Sequence, residues 1–191
     1  MNRVAKVRQT HKKNSTFLTP RTLFIGGIMI LLFSLALGVG IDSSASNQTQ
    51  DTGVVVGQSA PQFQLSNLAG ETVSLDDFSG NVVVLNFWAT WCPPCRAEMP
   101  GIQSVYETHQ GDGVTVIAIN AQENIDLVSS FQEEFALTFP VLLDSNGQAM
   151  NLYQAHSLPT TIILDRNGVV RHIQSGPITA VQLETIISSL L

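Results

Sequence analysis

The chain has 191 residues, enough for one ordinary domain with appendages. Its formal charge of −6 conceals a division: residues 1–21 carry six basic and no acidic side chains, whereas residues 42–191 carry three arginines, no lysine and fifteen carboxylates, which is +6 on one side and −12 on the other. An acidic surface without a basic stripe excludes nucleic acid as a partner; it either keeps the domain soluble or selects a basic protein.

Between the two charged regions lies an apolar run through Leu23, Ile25, Ile28, Leu31, Phe33, Leu37 and Ile41, with no charge in it. A helix of about 20 residues crosses the hydrocarbon core of a bilayer. Residues 22–41 are therefore assigned to a transmembrane signal-anchor, and the basic residues 1–21 to the cytoplasmic side. Ser43-Ser44-Ala45 offers the competing reading of a cleaved signal peptide, although the apolar core of such a signal is shorter, about 7–15 residues. Both readings export the rest of the chain, and the anchored one places a single-pass protein in the cell membrane with its domain extracytoplasmic. No cysteine ends the run to take a lipid.

Residues 42–53 are rich in Ser, Asn, Gln, Asp and Thr and read as a flexible linker. The ordered domain is expected over 54–191. Two short strands are predicted at 63–65 and 72–75, around an Ala69-Gly70 turn. The nearly continuous apolar run at 82–87 suits a strand buried on both faces. Met99, Ile102, Val105 and Tyr106 then recur at helical spacing. A second buried strand follows at 114–119. A helix is expected at 125–135, with Leu127, Val128, Phe131 and Phe135 on one side, then a strand at 141–143 and a short helix at 149–153. Strands at 161–164 and 169–173 form a hairpin across Asp165-Arg166-Asn167-Gly168, where Asn-Gly supplies the turn chemistry. A last helix runs over 179–190. Strands alternating with helices, closed by a hairpin and a helix, give an α/β fold with a mixed sheet covered on both faces.

The only two cysteines of the chain stand together in Trp91-Cys92-Pro93-Pro94-Cys95, just after the buried strand and at the start of a helix. A helix N-terminus offers unpaired N–H groups and the positive end of the dipole. Both stabilise a thiolate, so Cys92 should be more acidic than a free cysteine at about 8.5, and the thiolate is the attacking species in disulfide exchange. Pro93 and Pro94 lack N–H groups that the first turn would leave orphaned, and they stiffen the loop. The two-residue spacing lets Cys95 reach the Cys92 sulfur and resolve a mixed disulfide. Half a zinc site is the competing reading, but there is no second cysteine pair, and His11, His109, His156 and His172 show no ligand spacing. An inert static disulfide is another; the helix-start position argues against it.

At this motif the chain resembles the thioredoxin superfamily, and more closely the TlpA/ResA-like group of membrane-anchored thiol–disulfide oxidoreductases. The resemblance covers residues 54–191. It is carried by the opening segment from Gly57 to Leu65, shared with the AhpC/TSA-like peroxiredoxins, and by the segment from Asn86 to Cys95. Pro100, the run Leu158-Pro159-Thr160-Thr161 after Tyr153, and the region 121–139, which looks like the helix inserted in this group, complete it. It implies a thioredoxin-like fold with an N-terminal hairpin and an inserted helix, preceded by one transmembrane helix. It implies Cys92 as nucleophile, Cys95 as resolving thiol and Pro159 as a cis-proline facing the disulfide, with Trp91, Pro93, Pro94 and Thr160 as active-site neighbours. Thioredoxins of the cytoplasm have a buried Asp where this chain has Asn86. Glu98 matches the group's acid on the active-site helix, one turn past Cys95. It either moves the proton of Cys95 or is a solvated helix carboxylate.

The implied activity needs no cofactor and no metal. It is reduction of disulfides in exported proteins, apocytochrome c among them, with electrons from a membrane thiol donor; the motif alone also admits an oxidase. A thiol peroxidase is a further alternative, although Thr90 stands two residues before Cys92 where peroxiredoxins need three. A copper chaperone would need three residues between its cysteines; here there are two. His156 stands near Pro159 without a family counterpart and reads as a loop histidine. Trp91 is expected beside the active site, and Trp88 in the groove or the core.

Overall fold

The structure is a computed structural model that describes residues 53–191; the basic segment 1–21, the anchor expected at 22–41 and nearly all of the linker expected at 42–53 lie outside the described residues. Among the described residues no helix is long and apolar enough to cross a membrane.

In chain order the elements are β1 (Gln64–Asn67), β2 (Thr72–Ser74), β3 (Val82–Trp88), α1 (Pro93–His109), β4 (Val114–Ala121), α2 (Ile125–Glu134), β5 (Val141–Asp144), α3 (Gln148–Leu152), β6 (Thr160–Leu164), β7 (Val170–Ser175) and α4 (Ala180–Ser188). The sheet has seven strands in the order β2-β1-β5-β4-β3-β6-β7. β3 lies inside it, parallel to β4 and antiparallel to β6. All seven of its residues are buried, as the nearly continuous apolar run at 82–87 requires of a strand covered on both faces.

Alternation along β3 divides the core. Val82, Val84 and Trp88 point to one face and pack with Met99, Ile102 and Val105 of α1, Phe131 of α2 and Leu183 of α4. Val83, Leu85 and Phe87 point to the other and pack with Phe63, Leu75, Ile117, Ile162 and Tyr153. Each large side chain buried in these layers contributes about 1.5–3 kcal/mol of transfer free energy. Trp88 is a core residue: its ring lies 4.3 Å from that of Phe131.

The β6–β7 hairpin turns where Asn167-Gly168 directed it. Gly168 takes φ 74°, and Asp165 Oδ1 accepts the N–H groups of Asn167 and Val169. Asp165 Oδ2 accepts from Arg171 at 2.7 Å. Burial pushes the Asp165 carboxyl up, but the Val169 N–H, Arg171 and the Asn167 N–H together hold it below its usual value. Thr179 caps α4 in a reciprocal box with Gln182.

Element bounds differ from the expected ones by one or two residues, at frayed ends where capping residues belong to neither state. Leu127 is a correction. It is 56% exposed, because it lies one residue, about 100°, from Val128 and turns off the apolar stripe made by Val128, Phe131 and Phe135.

Candidate active site

β3 ends at Trp88, and a short loop brings the chain to Cys92, the N-cap of α1. Cys92 and Cys95 form a disulfide, with Cα atoms 5.3 Å apart. Cys92 Sγ accepts the Cys95 N–H at 3.3 Å, so the sulfur sits where a capping oxygen would and faces the orphan donors of the first turn. Pro93 and Pro94 occupy the first two helical positions. Both cysteines are buried, whereas Pro93 and Pro94 are exposed and Trp91 is 68% exposed. Trp91 therefore stands at the rim of the site with its ring largely in solvent.

The Leu158–Pro159 bond is cis. Thr160, which starts β6, pairs with Phe87 of β3, so the Pro159 loop and the cysteine loop emerge at the same end of the sheet. The Pro159 carbonyl accepts the Gly176 N–H at 2.8 Å, and Thr160 Oγ1 donates to the Ser157 carbonyl at 2.7 Å. His156 is exposed, with no side-chain hydrogen bond to the described residues.

Glu98 is not a solvated helix carboxylate: it is 6% exposed. Asn86 Nδ2 donates to Glu98 Oε1 at 2.8 Å, and the Ile178 N–H donates to Oε2 at 2.8 Å. Asn86 Nδ2 also donates to Thr161 Oγ1 at 3.0 Å. Burial raises the Glu98 carboxyl above the usual carboxylate range, against the opposing pull of the Ile178 N–H and the Asn86 amide. A cleft of about 400 Å³, lined by Pro94, Ala97, Glu98, Gly101, Ile178 and Ala180 among others, opens on this carboxyl. Asn86 cannot titrate, but it orients the group that does.

Two further residues, Glu123 and Arg96, hold the cysteine loop at Thr90. The Thr90 N–H donates to Glu123 Oε2 at 2.6 Å, and its hydroxyl donates to Glu123 Oε1. Arg96 Nη1 donates to the Thr90 carbonyl at 3.4 Å, Nη2 reaches Glu134, and the guanidinium lies 5.1 and 4.9 Å from the rings of Phe131 and Phe135. These partners lie 33 and 38 residues apart in sequence, and no spacing pattern marks them.

The site combines one disulfide at a helix start with a buried carboxyl three residues further along the same helix. A family model described as the AhpC/TSA family matches residues 56–173. A thiol–disulfide oxidoreductase ResA of Geobacillus thermodenitrificans is 40% identical over 163 residues, 85% of this chain and 92% of that protein. A thioredoxin-like protein YneN of Bacillus subtilis is 39% identical over 158 residues, 81% of this chain and 92% of that one. Among solved structures, StoA from Bacillus subtilis superposes with a TM-score of 0.58 at 35% identity, covering 65% of this chain and 95% of its own. A thiol:disulfide interchange protein of the thioredoxin family from Chlorobium tepidum gives 0.65 at 25% identity, covering 71% and 97%.

Proposed function

Because the chain belongs to the AhpC/TSA family and is a thiol–disulfide oxidoreductase, we propose that it reduces disulfides in exported proteins through Cys92 and Cys95. The observation that carries this is the Cys92–Cys95 disulfide at the start of α1, with Cys92 as the N-cap.

The structure holds the oxidised state. A thiol donor reduces it: one donor thiolate attacks the Cys92–Cys95 bond, a second donor thiol resolves the mixed disulfide, and the donor leaves oxidised by two electrons. The Cys92 thiolate, stabilised by the helix N-terminus, then attacks one sulfur of a substrate disulfide. The substrate S–S bond breaks, a Cys92–substrate disulfide forms, and one substrate thiolate leaves and takes a proton from water. Cys95 loses its proton, attacks the Cys92 sulfur and expels the second substrate thiolate. The substrate gains two electrons, and the enzyme returns to the disulfide.

Glu98 receives the Cys95 proton in this scheme. A carboxyl held above the usual range accepts a proton near neutral pH better than an ordinary one, and the adjoining cleft returns it to solvent. Pro159 and Thr160 bound the substrate groove, with Trp91 at its rim. The positive-inside pattern and the apolar run support an uncleaved anchor at 22–41, a domain over 54–191 outside the cytoplasm, and a membrane thiol protein as donor. Apocytochrome c cysteines, waiting for haem, fit the substrate class.

The test is the reduction potential of the full-length protein in detergent, by equilibration with glutathione or dithiothreitol and quantification of free Cys92 and Cys95. A value near −270 mV supports a reductase, and one near −120 mV makes the protein an oxidase. The AhpC/TSA match favours one second reading, a thiol peroxidase; peroxide consumption by the reduced protein, at a rate exceeding its disulfide exchange, would establish that instead.

A further inference from the structure

We propose that Glu123 and Arg96 are positioning residues for the dithiol and act on Cys92 through Thr90. The inference rests on the exchange reading above and deepens it.

Every polar group of Thr90 is held by a charged side chain of another element: its N–H and hydroxyl by Glu123, its carbonyl by Arg96. Glu123 is itself fixed. Asn120 Nδ2 donates to Glu123 Oε2 at 2.7 Å, and the Glu123 N–H donates back to Asn120 Oδ1 at 3.2 Å. Asn120 is buried and pairs with Trp88 across the β3–β4 ladder, so the clamp is mounted on the centre of the sheet. Between them Gln122 takes φ 59°, a left-handed conformation that costs a side-chain-bearing residue roughly 1 kcal/mol. That turn brings Glu123 back against the cysteine loop.

Arg96 closes the other side. Its Nη2 donates to Glu134 at the far end of α2, and its guanidinium lies over Phe131 and Phe135. Phe131 in turn contacts Trp88 in the core. The inserted helix α2 is thus tied to the cysteine loop at both ends, by Glu123 just before it and Glu134 within it. Three donors converge on the Glu123 carboxylate, two from Thr90 and one from Asn120. A glutamine there keeps one acceptor oxygen for the Thr90 and Asn120 N–H groups, forces the Thr90 hydroxyl to turn and accept from its NH₂ group, and removes the charge that these donors share.

The consequence falls on the reduced enzyme. In the disulfide form Cys92 is tethered to Cys95 and cannot leave the N-cap. In the dithiol form only its backbone holds it there, and the stretch before it is anchored at Thr90. Releasing Thr90 lets the Cys92 thiolate drift from the helix N–H groups that stabilise it. The reduced state loses stability relative to the oxidised one, the thiol becomes less acidic, and attack slows.

The test compares full-length wild-type protein with Glu123→Gln, Arg96→Met, Arg96→Lys and Thr90→Val, the last removing the hydroxyl alone from a near-isosteric residue. For each, the pH profile of Cys92 alkylation, the equilibrium with glutathione and the Tm of both redox forms are measured. Glu123→Gln is expected to move the alkylation profile to higher pH, slow alkylation at pH 7 about tenfold, and favour the disulfide about tenfold, or about 30 mV. Its Tm falls more in the reduced than in the oxidised form. Thr90→Val shows the same signs at smaller size, which keeps the test decisive if Glu123→Gln does not fold. Arg96→Lys keeps the charge but not the two-sided reach, and is expected to behave like Arg96→Met; full recovery with lysine would overturn Arg96 as a positioning residue. Unchanged alkylation profiles and potentials, with equal Tm losses in both forms, would make the clamp purely structural and overturn the inference. Absence of exchange in the wild type would instead remove the functional reading beneath it.

Discussion

Asn86 and Glu98 face each other across the interior between β3 and α1, the amide donating to the carboxylate at 2.8 Å. The pair joins the central strand to the helix that carries both cysteines, and the Ile178 N–H completes it from the segment before α4. Asn86→Asp replaces the donor with a second carboxyl that must share one proton with Glu98 or repel it. The oxidised protein is expected to lose about 2–4 kcal/mol at pH 8, and less at pH 5, where one of the two carboxyls keeps a proton and donates it. Urea unfolding at both pH values measures the difference. An equal loss at the two would contradict the pairing.

Glu98→Gln separates the chemical role from the architectural one. If Glu98 takes the Cys95 proton, the substitution shifts the Cys95 titration and slows resolution of the mixed disulfide about 10²-fold or more, while the first attack by Cys92 changes little. The folded-state carboxyl is raised above its ordinary 4.5, burial being the main cause. The stability that follows from the raised value is therefore fully present below pH 4.5 and is lost as pH rises through the folded value. The wild type should lose stability over that interval relative to Glu98→Gln. Unchanged thiol titrations and exchange rates would remove Glu98 from the mechanism.

His109, at the end of α1, lies 2.7 Å from Glu184 of α4 through Nε2. The Glu184 hydrogen bond is the chief cause that raises the imidazole above 6.5, with burial opposing it and Asp112 adding to it. A raised histidine contributes stability that is fully present below pH 6.5 and lost as pH climbs through the folded value. Glu184→Gln should cost about 0.5–1 kcal/mol at pH 5.5, in keeping with its partial exposure, and next to nothing at pH 9.5. Thermal unfolding at the two pH values checks it; a cost independent of pH would contradict the pairing.

Much of this fold is legible because local signals agree. The apolar run at 82–87 marks a strand covered twice, Asn167-Gly168 marks a tight turn, and the pattern over 179–190 marks the last helix. The two cysteines announce the site because proline and a helix start surround them. The rest depends on partners that the chain brings together from far away. Spacing places Glu98 on the Cys95 face of α1, but its burial comes from Asn86 and from Ile178, 80 residues on. Glu123 and Arg96 read as surface charges until β4, α1 and α2 meet around Thr90. Leu127 reads as core until the exact phase of α2 turns it outward.

In the proposed mechanism Cys92 attacks and Cys95 resolves. The most direct measurement uses reduced, full-length Cys95→Ser protein and a peptide containing one internal disulfide, with the products analysed by mass spectrometry after acid quenching. The expected result is a stable covalent adduct of one peptide per chain, mapped to Cys92, whereas the wild type under the same conditions releases fully reduced peptide and Cys92→Ser forms no comparable adduct. An adduct formed faster through Cys95 in the Cys92→Ser protein, or no adduct with either variant, would contradict it.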